Sequence, residues 1–152
     1  MQWAEAIGMM PWNYTNTGRN FCRIMERVGS AHLRCKWGPA DSYNSGEHDT
    51  VGTTYRLLRP YLTSIHLKDA HVLDGAACRF QYVPTGTGDV PYAALFEQFA
   101  RDRTDAVIAV ATHYRVPDAP PETAMRTNIQ NTRRLMAQGL AATQGATRSA
   151  VR

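Results

Sequence analysis

A chain of 152 residues holds one domain with a real core, and it falls well short of the roughly 250 residues of a complete (β/α)8 barrel. Its 43% hydrophobic content excludes disorder as a description of the whole, and its net charge of +4, from 17 basic and 13 acidic residues scattered along the chain, gives no basic stripe for nucleic acid. No apolar run approaches the roughly 18 residues of a membrane span and no basic-then-apolar leader opens the chain, so no membrane partner and a cytoplasmic setting are expected. Cys22, Cys35 and Cys78 form no paired spacing, which reads as free thiols in a reducing compartment.

In chain order, residues 3–10 read as a strand stopped by Pro11, and Asn13 to Gly18 is a turn cluster able to cap a helix. Residues 18–28 put Phe21, Ile24, Met25 and Val28 at offsets of three and four, one face of a helix that Gly29 ends. Leu33, Cys35 and Trp37 alternate as in a strand, broken by Gly38-Pro39, and residues 39–49 read as a polar loop. Thr53 to Leu62 reads as a helix and Ser64 to Lys68 as the next strand. Residues 69–90 form a long excursion containing one short strand, CRFQYV. Pro91 to Ala100 reads as a helix with Pro91 at its start and Asp89 as its cap. Residues 106–111, AVIAVA, are apolar without alternation, as in a parallel strand covered on both faces. A last helix is predicted from Pro120 to about Met136, with a polar tail from Gly139 expected to fray.

The expected architecture is α/β, with about four parallel strands alternating with four helices. Residues 1–138 form the domain and 139–152 the tail. The segment SIHLKD, residues 64–69, ends a strand in polar side chains and leads to the Gly-rich loop VPTGTGDVPY, residues 83–92. Polar residues at strand C-termini are how an α/β barrel presents chemistry.

Four segments in order, RIMERVGSAHLRCKWGPAD, YLTSIHLKDA, RFQYVPTGTGDVPYAALFEQF, and AVIAVATHY followed by PPETAMRTNIQNTRRLM, resemble the sugar phosphate isomerase/epimerase family with a xylose-isomerase-like TIM barrel. The resemblance places this chain on the C-terminal half of that barrel, a partial (β/α) barrel. It implies a site where a divalent metal (Mn, Mg, Co or Zn), held by glutamate, aspartate, histidine and glutamate at strand tops, polarises an open-chain sugar or sugar phosphate while carboxylates shuttle a proton. On this sequence the histidine falls at His66. The strand-end aspartate falls at Gly38, the last glutamate near Ala111, and the first near Gly8 or Met9, with Glu5 the closest carboxylate. A substitute metal set of His66, Asp41 and His113 is the candidate; Lys68, Asp69, Arg79 and Trp37 are candidate substrate contacts, with Trp12 and Tyr114 as further cleft-lining aromatics. No catalytic residue is assigned.

Two functions follow. In one, the chain is a divergent or truncated isomerase/epimerase homologue. In the other, it is a non-catalytic half-barrel that self-associates as a homo-oligomer or assembles with a complementary half, because a cut barrel exposes two strand edges and apolar interior surface.

Overall fold

A computed structural model describes residues 5–8, 13–77 and 79–149. Trp12, Cys78 and the Met9 position of the first expected ligand lie outside the described residues.

Four strands, β1 (Glu5–Gly8), β2 (Leu33–Trp37), β3 (Leu62–Leu67) and β6 (Val107–Val110), form one parallel sheet in the order β1-β2-β3-β6. Helical connections join them, as parallel pairing requires. The first is α1 (Gly18–Val28), capped by the Thr17 hydroxyl on Asn20 N and ended at Gly29. Its buried residues are Gly18, Phe21, Cys22 and Met25, while Val28 is exposed, so the inward face is turned slightly from the expected one.

The polar loop expected over residues 39–49 contains a helix, α2 (Pro39–Asn44). The break at Gly38-Pro39 is a helix start instead of a loop, because proline suits the first helical turn, where its missing N–H has no intrahelical partner. The helix predicted from Thr53 begins earlier and is irregular: a π turn (Thr50–Tyr55), then α3 (Arg56–Leu58), then a 3-10 turn (Arg59–Tyr61) that carries Pro60. The excursion after β3 holds two strands, β4 (Asp69–Asp74) and β5 (Arg79–Val83), paired as an antiparallel hairpin. Residues 69–74 lack a clean alternation, and their strand state is supplied by the pairing with β5.

Helix α4 (Tyr92–Asp102) precedes β6, and α5 (Pro121–Ser149) follows it. The helix expected to end near Met136 therefore runs through Gly139 into the alanine-rich segment beyond. Gly139 lets it do so: a Cβ there would stand 2.6 Å from the Phe96 carbonyl oxygen of α4, so the two helices touch backbone to side-chain-free backbone.

The core lies between the sheet and the helices. Cys35, Trp37, Ile65 and Leu67 meet Tyr55, Leu58, Leu95, Phe96 and Phe99, all buried. Trp37 is 0% exposed, stacked on Tyr55 with ring centroids 6.3 Å apart, and its indole N–H donates to the Ser42 hydroxyl at 3.1 Å. The opposite face of the sheet carries the alternate residues Arg34 and Lys36 of β2, Ser64 and His66 of β3, and Val107 and Ala109 of β6, with Lys36 beside Ser64 and His66 beside Ala109 in register. The apolar interior surface expected of a cut barrel is thus largely polar and cationic. Val107, 70% exposed, is an apolar residue on it.

Gly139→Ala should lower stability by about 1–2 kcal/mol in urea unfolding. The collision with Phe96 outweighs the gain of about 1 kcal/mol that alanine brings to a helix interior. Gly145→Ala, where a Cβ meets nothing within 4 Å, should instead raise stability by up to about 1 kcal/mol.

Candidate functional site

The C-terminal end of β3 carries His66, Lys68 and Asp69, and the neighbouring strand ends bring other groups toward it. The Lys68 ammonium lies 2.9 Å from Oδ1 of Asp41, and the two side chains are only 6% and 4% exposed. Asp41 belongs to the first turn of α2. Its Oδ2 sits over Gly38, where any Cβ would collide with it. Burial pushes the Asp41 carboxyl above the usual carboxylate range, against the pull of Lys68 and of Lys36. The backbone of Lys68 is fixed too: the buried Tyr92 hydroxyl donates to its carbonyl at 2.6 Å.

Asp69 faces the other way. Its Oδ2 accepts from the N–H groups of Gly86 and Gly88 at 2.8 and 2.9 Å, and its Oδ1 from Ala70 and Val90 at 3.0 and 3.4 Å. The Gly-rich loop is therefore wrapped around one carboxylate. Gly86 supplies a φ of +85°, and Gly88 comes so close to Asp69 that no side chain fits. Two α5 residues pin the loop from outside: Asn128 Oδ1 accepts from Thr85 N at 2.9 Å, and Asn131 Nδ2 donates to the Thr85 carbonyl at 3.0 Å. Asp69 is 1% exposed, so it organises the loop and presents nothing to a ligand.

Asp89, expected to cap α4, pairs instead with His71 Nδ1 at 2.8 Å and accepts from Val72 N at 2.8 Å. Those hydrogen bonds hold its carboxyl below the ordinary range. Helix α4 starts at Pro91 with no side-chain cap. Arg79 stands at the start of the outer hairpin strand, with a 70% exposed side chain, 3.5 Å from Asp74. It is a solvated arginine. Trp37, the best sequence candidate for a sugar-stacking ring, is wholly inside the core.

His66 is half-buried on the polar sheet face. His113, just past β6, is exposed and stacks on Tyr82 of the hairpin at 4.7 Å with the rings 25° apart. Burial lowers the pKa of both imidazoles, and nearby Lys68 lowers both further. Ala111 N donates to the Leu67 carbonyl at 2.8 Å, so position 111 continues the sheet at its chemical end, with a side chain that offers no donor.

These residues do not fit a divalent ion. The carboxylate of the candidate set is engaged by Lys68, positions 38 and 111 supply none, and among the described residues no group of three or more His, Cys, Asp or Glu is disposed to hold a metal. The structure does not bring His66, Asp41 and His113 together as ligands. Two parts of the site escaped the sequence reading, Tyr82 and the Asn128–Asn131 pair. Asn128 left a signal: it falls four residues from both Ala124 and Thr132, a polar group on the inward face of α5.

Asp69→Ala strands several buried N–H groups and should cost roughly 3 kcal/mol of stability in urea unfolding. His66 and His113 should titrate by NMR with midpoints below the ordinary imidazole value of about 6.5. Because the unfolded chain then binds more protons in that window, their contribution to stability should be fully present above about pH 6.5 and be lost as pH falls toward the folded midpoints.

The fold is shared with known proteins. The profile of the xylose isomerase-like TIM barrel family matches residues 4–135. An L-ribulose 3-epimerase structure superposes with a TM-score of 0.71 at 12% identity, over 94% of this chain and 50% of that one. A xylose isomerase-like TIM barrel protein from Mycobacterium smegmatis, solved in complex with magnesium, gives 0.68 at 14% identity, over 90% of this chain and 45% of that one. A xylose isomerase domain protein from Planctomyces limnophilus gives 0.65 at 18% identity, over 87% and 44%. Curated protein sequences give no match. The chain spans about half the length of these structures, and it belongs to the xylose isomerase-like TIM barrel family.

Proposed function

We propose that this chain is a divergent homologue of the sugar and sugar-phosphate isomerases and epimerases, corresponding to the C-terminal half of their barrel, and that by itself it does not carry out metal-assisted proton transfer. The observation that carries this reading is the state of the strand ends. Enolisation needs a base beside an electrophile that stabilises the developing oxyanion. Here positions 38 and 111 are Gly38 and Ala111, Asp41 is tied to Lys68, and Asp69 is consumed by backbone N–H groups. What remains open is a polar face, Lys36, Ser64, His66 and His113, suited to hydrogen-bonding the hydroxyls of a sugar and not to moving its protons.

A second reading, assembly with another half-barrel, is favoured by a separate observation. Among the described residues β1 pairs only with β2 and β6 only with β3, so both outer edges of the sheet are open. A closed barrel needs eight strands. The concave face bears Arg34 and Lys36, and two copies would set these cations against each other. A complementary half with carboxylates on its inner face suits this surface better than a second copy, since like charges in a low-dielectric interior are costly.

The test is metal content and thermal shift on the purified chain with Mn²⁺, Mg²⁺, Co²⁺ and Zn²⁺, a screen for sugar and sugar-phosphate conversion, and light scattering on the same sample. The expected outcome is no stoichiometric metal, no turnover, and no stable homodimer at low salt. Stoichiometric metal lost in His66→Ala, with sugar conversion, would refute the first reading; a tight, salt-independent homodimer would refute the second.

A further inference from the structure

Asp41, Lys68 and Asp69 are the buried charged residues among those described. Asp69 is fully engaged by the loop that follows it. The other two face each other across the ends of β2 and β3, and their arrangement has two parts. Oδ1 of Asp41 receives the Lys68 ammonium at 2.9 Å, and Oδ2 fills the volume directly over the Gly38 Cα. The carboxylate therefore comes from the first turn of α2 but lies over the end of the preceding strand, in space that only glycine leaves free.

We infer that Lys68 is the resident cation of this strand-end site: its ammonium holds the Asp41 carboxylate over Gly38 and takes the place of a divalent ion as that carboxylate's partner. A hard divalent ion takes several oxygen ligands, and one buried carboxylate is what this strand end offers. An ammonium needs far less, since one carboxylate and a few further acceptors neutralise and satisfy it. The pair is also hard to open. Taking Lys68 away would leave an uncompensated carboxylate in a nearly dry position, so a metal would have to repay that before gaining anything. Lys36, on the adjacent strand and within reach of Asp41's charge, adds further repulsion against an incoming dication.

The sequence makes it testable, because Lys36 and Lys68 are its two lysines. Acetylation of the native full chain with an N-hydroxysuccinimide ester, followed by peptide mass mapping, reads each amine separately. Lys68 should react roughly ten-fold or more slowly than Lys36. Asp41→Asn should remove most of that protection. Gly38→Ala, which keeps both charges and takes only the space, should raise Lys68 labelling several-fold by displacing the carboxylate. Millimolar MnCl₂ or CoCl₂ should change neither the labelling nor the melting temperature of the wild type. Equal rates for the two wild-type lysines overturn the inference without need of any variant. So do protection that survives both Asp41→Asn and Gly38→Ala, and a metal-induced rise in wild-type melting temperature that Asp41→Asn abolishes.

Discussion

Two consecutive residues at the end of β3 hold this structure together through opposite charges sent in opposite directions. Lys68 reaches back to Asp41 on α2, and Asp69 reaches forward to the N–H groups of the Gly-rich loop. Both are buried, so each must be satisfied locally or cost several kcal/mol. Through Lys68 the ends of β2 and β3 are locked with the helix that starts at Pro39. Through Asp69 the hairpin and its following loop are drawn to the sheet, where Asn128 and Asn131 fasten them to α5. Tyr92 closes the arrangement by donating to the carbonyl of Lys68 from the first turn of α4. One strand end thereby fixes α2, α4, α5 and the intervening loop.

The sheet itself is divided by face. Its convex side packs an aromatic and aliphatic layer around Trp37, Tyr55, Phe96 and Phe99, with Trp37 stacked on Tyr55 and the other pairs edge-on, centroids 5.1–6.4 Å apart. Its concave side is polar at Arg34, Lys36, Ser64 and His66. In a closed barrel that side would be interior and tightly filled. Here it is a partly open cationic surface, and among the described residues both edges of the sheet are unpaired. The folding driving force therefore comes from one face, and the other is left to whatever meets it.

Much of this was legible in the sequence. The parallel strands and their helical crossovers follow from the apolar spacing at Phe21, Met25 and Leu95 and from the apolar run AVIAVA, but that run, expected to be covered on both faces, leaves Val107 70% exposed and the rest of β6 half-buried, because the opposite sheet face has no layer packed on it. The histidine, lysine and aspartate at the end of β3 were also identified as the chemically distinctive point. What the sequence hid was the destination of each side chain. Asp69 and a substrate-binding aspartate look alike until three N–H groups of a glycine-rich loop, and that of Ala70, are seen to converge on it. Trp37 alternates like a strand residue whether its face meets a cleft or a core. The α2 helix is too short for periodicity to register, and β4 owes its state to a partner strand rather than to its own pattern. The length of α5 depends on Gly139 meeting Phe96, a contact 43 residues apart that no local window contains.

The fate of the strand-end residues explains how a barrel half of this family can persist with such a site. A metal-binding carboxylate must remain unsatisfied by the protein, held ready at a cost in stability until the ion arrives. Asp41 and Asp69 are instead engaged from within, one by an ammonium and the other by backbone. Each such pairing removes a liability and adds rigidity at the point where loops leave the sheet. The same residue types that read as chemistry in sequence thus serve as internal ties in the fold. Because glycine at position 38 is required by the tie, a side chain cannot be placed there without first displacing Asp41, and that couples the residue at the end of β2 to the buried pair.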